Sequence, residues 1–328
     1  MGQKDLSAKE LTSYPDVVAD LINVFVYGGN AVVHPEELRP YNTGENIIDT
    51  QGILKGMLRD NCMESLRDGT RYMLVGIENQ DDVDYTMPVR VMGYDYAGYA
   101  RQLEELAAEN KRAGKDMGAR RIQKGQKIKP VVTFVLYYGG RDDMPAELLQ
   151  MLDVPKDDGL QKYIKNYEMN LICLRDMTLS QVQSFRSDFA CVAKYLSRNY
   201  NKKQLIDELR KEEILLTHMK ATLYTLAAVS GDDRYLKIKE HAKEGETEMC
   251  ELLDEIEKIG YEKGLSAGVQ QGMQRGISQG IQRGISKGEV EKTRVVAANM
   301  IKRGMSDDDI RALAECSQEL IDQIRSGM

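Results

Sequence analysis

Residues 59–80 read "RDNCMESLRDGTRYMLVGIENQ", and the fold turns on them. Two runs suited to extended structure flank "RDGT", whose Asp68-Gly69 pair is a strong hairpin-turn signal. With the turn centred on Gly69, residues equidistant from it face one another, and Asp60 stands opposite Glu78. Directly opposed side chains have Cβ atoms about 4.5–5.5 Å apart, so two carboxylates there repel unless a cation lies between them. Gln80 projects to the same face as Glu78, because strand side chains alternate with period two. A slip of one residue would undo the alignment. Asp60, Glu78 and the backbone carbonyl of Asn79 would make a hard oxygen site suited to Mg²⁺, with Mn²⁺ as a substitute. The same residues also fit an exposed hairpin decorated with acids, since "ENQDDVD" (78–84) alone carries four.

Upstream, "SYPDVVADLINVFVYGG" (13–29) places Val17, Leu21 and Val24 at helical spacing, with Ser13 or Asp16 as caps and Gly28-Gly29 as a stop. Residues 30–56 read as irregular. Downstream, "MPVRVMGYDYAGYARQLEELAAENKR" (87–112) starts at a helix-favourable proline and continues in helix formers. Arg90 and Tyr94 lie on this helix after the hairpin, where an aromatic at helical spacing is more often core than cleft-lining; Tyr96 and Tyr99 read as packing residues. "KPVVTFVLYYGG" (129–140) has the apolar, β-branched character of a strand buried on both faces, and "MNLICLRDM" (169–177) is a second such run. Between them "MPAELLQML" (144–152) is a short helical piece, and from Thr178 to about Glu257 the pattern is helical. The order predicts a mixed α/β sheet rather than a bundle.

Composition narrows the function. At 42% hydrophobic and 30% charged, with mean hydropathy −0.47, the chain reads as a soluble globular protein without the roughly 20-residue apolar run that spans a bilayer. The start lacks a signal-peptide core. The five cysteines are scattered and lack a C-x-x-C pair, which argues against disulfides or zinc and suits a reducing cytoplasm. His34, His218 and His241 lack ligand spacing, so a metal would be held mainly by oxygen. A net charge of −7 argues against nonspecific coating of nucleic acid. Locally the balance reverses: residues 109–129 hold eight basic side chains, Lys111, Arg112, Lys115, Arg120, Arg121, Lys124, Lys127 and Lys129, against Glu109 and Asp116. Such a stretch either neutralises phosphates or is a solvated loop.

An aspartate, a strand hairpin and then Glu-x-Gln resembles the PD-(D/E)xK nuclease superfamily, whose core runs α-β-β-β-α-β. The segments "FVYGG", "RD", "GIENQ", "MPVRVMGYDYAGY" and "VVTFVLYYGG", in that order, resemble more narrowly the recombination-promoting nucleases, also described as transposases of that class. The resemblance spans roughly residues 5–260. It implies a restriction-endonuclease-like core, Mg²⁺-dependent cleavage of DNA phosphodiesters, and a link to recombination or mobile elements. Asp60 then matches the metal-binding aspartate, Glu78 the glutamate of ExK, and Asp20 the first-helix acid, with Asp16 one turn earlier on the same face. Gln80 departs from the pattern: it can orient a water but cannot supply the positive charge of lysine. Lys111, Arg112, Lys115, Arg120, Arg121 and Lys124 become candidate DNA contacts. A catalytically inactive nucleic-acid-binding or assembly protein on the same fold is the alternative.

The segment "GLSAGVQQGMQRGISQGIQRGISKG" (264–288) repeats glycine at every fourth position, followed by Leu265, Val269, Met273, Ile277, Ile281 and Ile285. A four-residue repeat advances about 40° per step on an α-helix, so the glycine and apolar stripes wind slowly around it. Small residues on a stripe let a second backbone approach closely, which predicts self-association; a flexible linker is the competing reading. Beyond it, Gly304 stops a helix, Ser306 and Ser317 cap two more, and Asp307–Asp309 oppose entry into a DNA groove, which favours a small protein-contact module. The organisation expected is a nuclease-like core over 1–177, a helical extension over 178–260, the glycine helix over 261–290 and a helical tail over 291–328.

Overall fold

The computed structural model describes residues 3–41, 60–115, 122–140, 144–154, 159–211, 215–238 and 248–328. Two helices open the chain, α1 (Gln3–Leu11) and α2 (Pro15–Tyr27). Neither Ser13 nor Asp16 caps α2: Pro15 occupies its first turn and disfavours the helical region for the residue before it, so the cap position falls to extended Tyr14. Gly28 closes α2 at φ 62°, a left-handed conformation that suits glycine. α1 was not legible in the opening "MGQKDLSAKE".

Five strands follow: β1 (Leu38–Pro40), β2 (Asn61–Arg67), β3 (Thr70–Gln80), β4 (Val131–Tyr137) and β5 (Asn170–Cys173), hydrogen-bonded in that order. β1, β2 and β3 pair antiparallel, whereas β3–β4 and β4–β5 pair parallel. The parallel step from β3 to β4 is made through α3 (Met87–Arg112), as a crossover requires. From α2 to β4 the order is α-β-β-β-α-β. β1 falls inside the stretch expected to be irregular; three residues flanked by a 3₁₀ turn leave too short a pattern to read.

The core forms where β3 and β4 lie side by side. Leu74, Val75 and Ile77 of β3 and Val135 and Leu136 of β4 are buried, and Met87, Val91 and Tyr94 of α3 pack on Val135 and Tyr137. Fully burying each such side chain is worth about 1.5–3 kcal/mol.

The helical extension comprises α4 (Leu179–Ser184), α5 (Phe189–Leu196), α6 (Lys202–Lys211), α7 (Met219–Ser230) and α8 (Arg234–Ile238). Thr178 and Gln181 form a capping box at the start of α4. The chain adopts an α/β core with a mixed sheet flanked by helices, followed by a helical C-terminal region.

Two compact units result, Met1–Glu257 and Lys258–Met328. The 54-residue α9 (Met249–Lys302) runs without interruption through the glycine repeat. In the second unit α10 (Asp307–Ala314) and α11 (Gln318–Ser326) fold onto α9 through Ala297, Ile310, Ile321 and Ile324. Ser306 and Ser317 cap α10 and α11 through the amides of Asp309 and Leu320. Asp307 pairs with Arg325 and accepts from Gln318, so part of the acidic run is used inside the module.

Candidate active site

The hairpin is closed by a two-residue turn, Asp68 at φ 51° and Gly69 at φ 71°, the left-handed pair of a type I′ connection. The turn is therefore centred between Asp68 and Gly69 rather than on Gly69, and Arg67 faces Thr70. Continued unchanged, that register would put Asp60 opposite Ile77 rather than Glu78. A bulge corrects it: Leu66 faces Arg71 but Ser65 faces Met73, so Tyr72 is the extra residue on β3. Beyond the bulge Asn61 faces Ile77, and the next position outward sets Asp60 against Glu78.

Those two residues interlock. The Asp60 amide donates to Glu78 Oε2 at 3.2 Å, and the Asn79 amide donates to Asp60 Oδ2 at 2.9 Å. The N–H and C=O of a strand residue face the same neighbour, so the Asn79 carbonyl lies on the Asp60 side. The Asn79 side chain turns to the opposite face from Glu78. There Nδ2 donates to Thr12 Oγ1 at 2.9 Å and to Asp60 Oδ2 at 3.3 Å, while Tyr138 donates to Asn79 Oδ1 at 3.0 Å. Asn61 Nδ2 reaches the same Thr12 hydroxyl and the Lys9 carbonyl. This buried network fixes the C-terminal end of α1 on the sheet and leaves Lys9 Nζ 3.6 Å from Asp60 Oδ1.

On the other face Glu78 meets α3. Arg90 approaches Glu78 Oε1 at 2.5 Å, Asp84 Oδ2 at 2.7 Å and the Tyr94 hydroxyl at 2.8 Å. Burial pushes the Glu78 carboxyl up to about 7, the Asp60 charge adds to the rise, and Arg90 opposes it. Burial and the Glu78 charge push Tyr94 up to about 12. Tyr94 is thus both core and site: its ring is fully buried and its hydroxyl lies 3.3 Å from Glu78.

These donors suit one class of ion. Among the described residues no three His, Cys, Asp or Glu side chains gather. A cation at the pair would take two carboxylates, the Asn79 carbonyl and water, a hard oxygen set that fits Mg²⁺. Burial first and the Asp60 charge second raise the Glu78 pKa, and a divalent charge bound there would lower it.

The other candidates lie elsewhere. Asp20 is not drawn to the pair: its Oδ2 accepts the amides of Arg186 and Ser187, each at 2.7 Å, so it secures the turn before α5. Asp16 faces His218 at 2.8 Å. Gln80 donates to the Asp82 carbonyl at 2.7 Å, a bond within its own turn. Lys111, Arg112, Lys115 and Lys124 are exposed, and Arg120 and Arg121 lie outside the described residues. Lys111 and Arg112 end α3 whereas Arg90 begins it, about 30 Å away at 1.5 Å per residue. Lys111 and Arg112 therefore sit at the far end of α3 from the carboxylates. Lys9, Thr12 and Tyr138 are the site neighbours the sequence did not disclose.

Residues 63–223 match the family described as "Putative transposase, YhgA-like". Neither a curated protein nor a solved structure matches the chain. The matched span holds Glu78, Asn79, Gln80 and Arg90, and opens three residues after Asp60. Residues 63–223, which carry most of the sheet and the site's glutamate, are thus similar to the YhgA-like putative transposase family.

Proposed function

We propose that the protein is a Mg²⁺-dependent DNA endonuclease that hydrolyses phosphodiester bonds in a recombination or mobile-element setting. The observation that carries this reading is the interlocked pair of Asp60 and Glu78 at the end of β3. Asp60, Glu78 and the Asn79 carbonyl would hold the ion. Bound there, Mg²⁺ supplies a Lewis acid for the charge that develops on the phosphate.

The chain's own contribution is orientation. The Asn79 amide and side chain hold Asp60 Oδ2, and Arg90 and Tyr94 hold Glu78 Oε1, so neither carboxylate must reorganise when a substrate arrives. Gln80 would orient a water on the Glu78 face once released from Asp82. The exposed cations at the far end of α3 would contact the DNA backbone away from the cut, and duplex rising 3.4 Å per base pair would reach them about nine pairs on.

Association of copies through α9 accompanies the cleavage reading. Leu265, Val269, Met273, Ile277, Ile281 and Ile285 are all more than half exposed, beside seven glycines with open space at the Cβ position.

One observation favours the noncatalytic alternative: the neutral Gln80 amide is occupied by Asp82. Cleavage assays in Mg²⁺ and Mn²⁺ decide between them. The parent should cut DNA while Asp60→Ala and Glu78→Ala should not, and a parent that cuts nothing would hand the fold to the binding reading.

A further inference from the structure

The two carboxylates present four oxygens, and they are not equivalent. Glu78 Oε1 is held by Arg90 and Tyr94, Glu78 Oε2 by the Asp60 amide, and Asp60 Oδ2 by the Asn79 amide and side chain. Among the described residues the fourth, Asp60 Oδ1, meets only the Lys9 ammonium, at 3.6 Å, in ion-pair range but beyond a direct hydrogen bond. The Asp60 side chain is 7% exposed and that of Lys9 is 37% exposed, so an internal acid is neutralised by a cation with access to solvent.

The two cations of the site also differ. Arg90 is fixed by Glu78, Asp84 and Tyr94, and its planar fork is committed. Lys9 is held loosely by Asp60 on a flexible four-carbon stem, and its firm anchor is the backbone, through the bond from Asn61 to the Lys9 carbonyl. Leaving Asp60 without any counter-charge would be costly at this burial, which explains why a cation waits there.

Resting on the metal-dependent reading above, we infer that Lys9 is a place-holder cation: its ammonium occupies the side of Asp60 that a divalent ion takes, and on being displaced it contacts the phosphate of the DNA strand. A place-holder opposes metal binding and assists the reaction, whereas a purely structural lysine would do neither.

That opposition gives the test. Full-length parent, Lys9→Met and Lys9→Arg are titrated with Mn²⁺ by calorimetry without DNA, and single-turnover cleavage is measured at saturating Mg²⁺. Lys9→Met should bind Mn²⁺ about five- to tenfold tighter, because a unit charge about 4 Å away is gone, yet cleave at least about tenfold more slowly. Lys9→Arg should restore much of the cleavage. Unchanged or weaker Mn²⁺ binding in a folded Lys9→Met would overturn the place-holder role, and unchanged cleavage would overturn the phosphate contact. If the parent cuts no DNA the nuclease reading fails, while the Mn²⁺ titration still decides where Lys9 stands.

Discussion

Arg90, in the first turn of α3, lies 2.5 Å from Glu78 Oε1 at the end of β3, yet the Glu78 carboxyl is pushed up to about 7. Burial and the Asp60 charge outweigh the ion pair. Glu78 thus binds its proton more tightly folded than unfolded. Below its ordinary value of 4.5 both states are protonated and the group costs nothing; above about 7 both are ionised and the folded state bears the full burial penalty. Stability should fall as pH rises through that window, by about 3 kcal/mol at most at roughly 1.4 kcal/mol per pH unit. Glu78→Gln removes the titration, so its denaturation midpoint should exceed the parent's at pH 8 and the gap should close by pH 4. A gap independent of pH would show that Arg90 had neutralised the group after all.

Addition of Mg²⁺ at pH 8 should stabilise the parent, since an ion that binds only the folded state raises its stability by mass action. Asp60→Ala and Glu78→Ala should each abolish that response, and cleavage should drop by on the order of a hundredfold or more. Thermal melts with and without Mg²⁺ read the first effect. Retention of the Mg²⁺ response in both variants would place any ion elsewhere.

Asn79→Ala tests the network behind the pair. The change leaves the buried Tyr138 hydroxyl without its acceptor and removes a donor from Thr12 and Asp60. Leaving such groups unsatisfied costs about 1–3 kcal/mol. Because the Asn79 amide still holds Asp60 Oδ2, the variant should remain folded while its affinity for Mg²⁺ weakens. A denaturant titration beside a metal titration separates the two effects.

The hairpin was legible because Asp68-Gly69 admits few backbone solutions. The pairing of Asp60 with Glu78 was legible too, although through compensating features: the true turn centre lies half a residue from Gly69, and the bulge at Tyr72 restores the alignment. Asp20 could not be placed, because its partners lie 166 and 167 residues away, and nothing in "VVADLIN" distinguishes an acid facing a metal from one binding two amides. Lys9 escaped for the same reason: its partner is 51 residues downstream on another element. The distance of the basic stretch from the carboxylates could not be read from sequence either, since it is set by a 26-residue helix whose ends lie about 40 Å apart.

That distance makes a prediction about DNA. Replacing Lys111, Arg112, Lys115 and Lys124 by glutamine should weaken binding and flatten its salt dependence, by about 0.9 in slope for every duplex phosphate that is no longer neutralised. The single-turnover rate at saturating DNA should stay within about twofold, because none of these residues approaches Glu78. Filter-binding across a salt series, paired with cleavage, would detect the opposite pattern of full affinity with a slowed cut.

The glycine repeat invites a test in which two effects pull apart. Each glycine within α9 costs its helix about 0.8–1 kcal/mol relative to alanine, and all seven have open space where a Cβ would stand. Alanine at Gly268, Gly272, Gly276 and Gly280 should therefore raise helix content whatever the segment does. If the stripe is a groove for a second copy, the added methyl groups hold the backbones apart and association weakens even as the helix strengthens. The row of Val269, Met273, Ile277 and Ile281 follows the i±4 direction, and ridges of that kind interdigitate at a crossing angle of about −50°. Two such helices touch over a few turns and then diverge, so changes near Gly276 and Ile277 should matter more than the same changes near Gly264 or Gly288. Light scattering should show a lower mass for the alanine variant and for deletion of 264–288, with circular dichroism showing a gain in helix for the former. A variant that gains helix and keeps its mass would mark the repeat as a spacer rather than a contact.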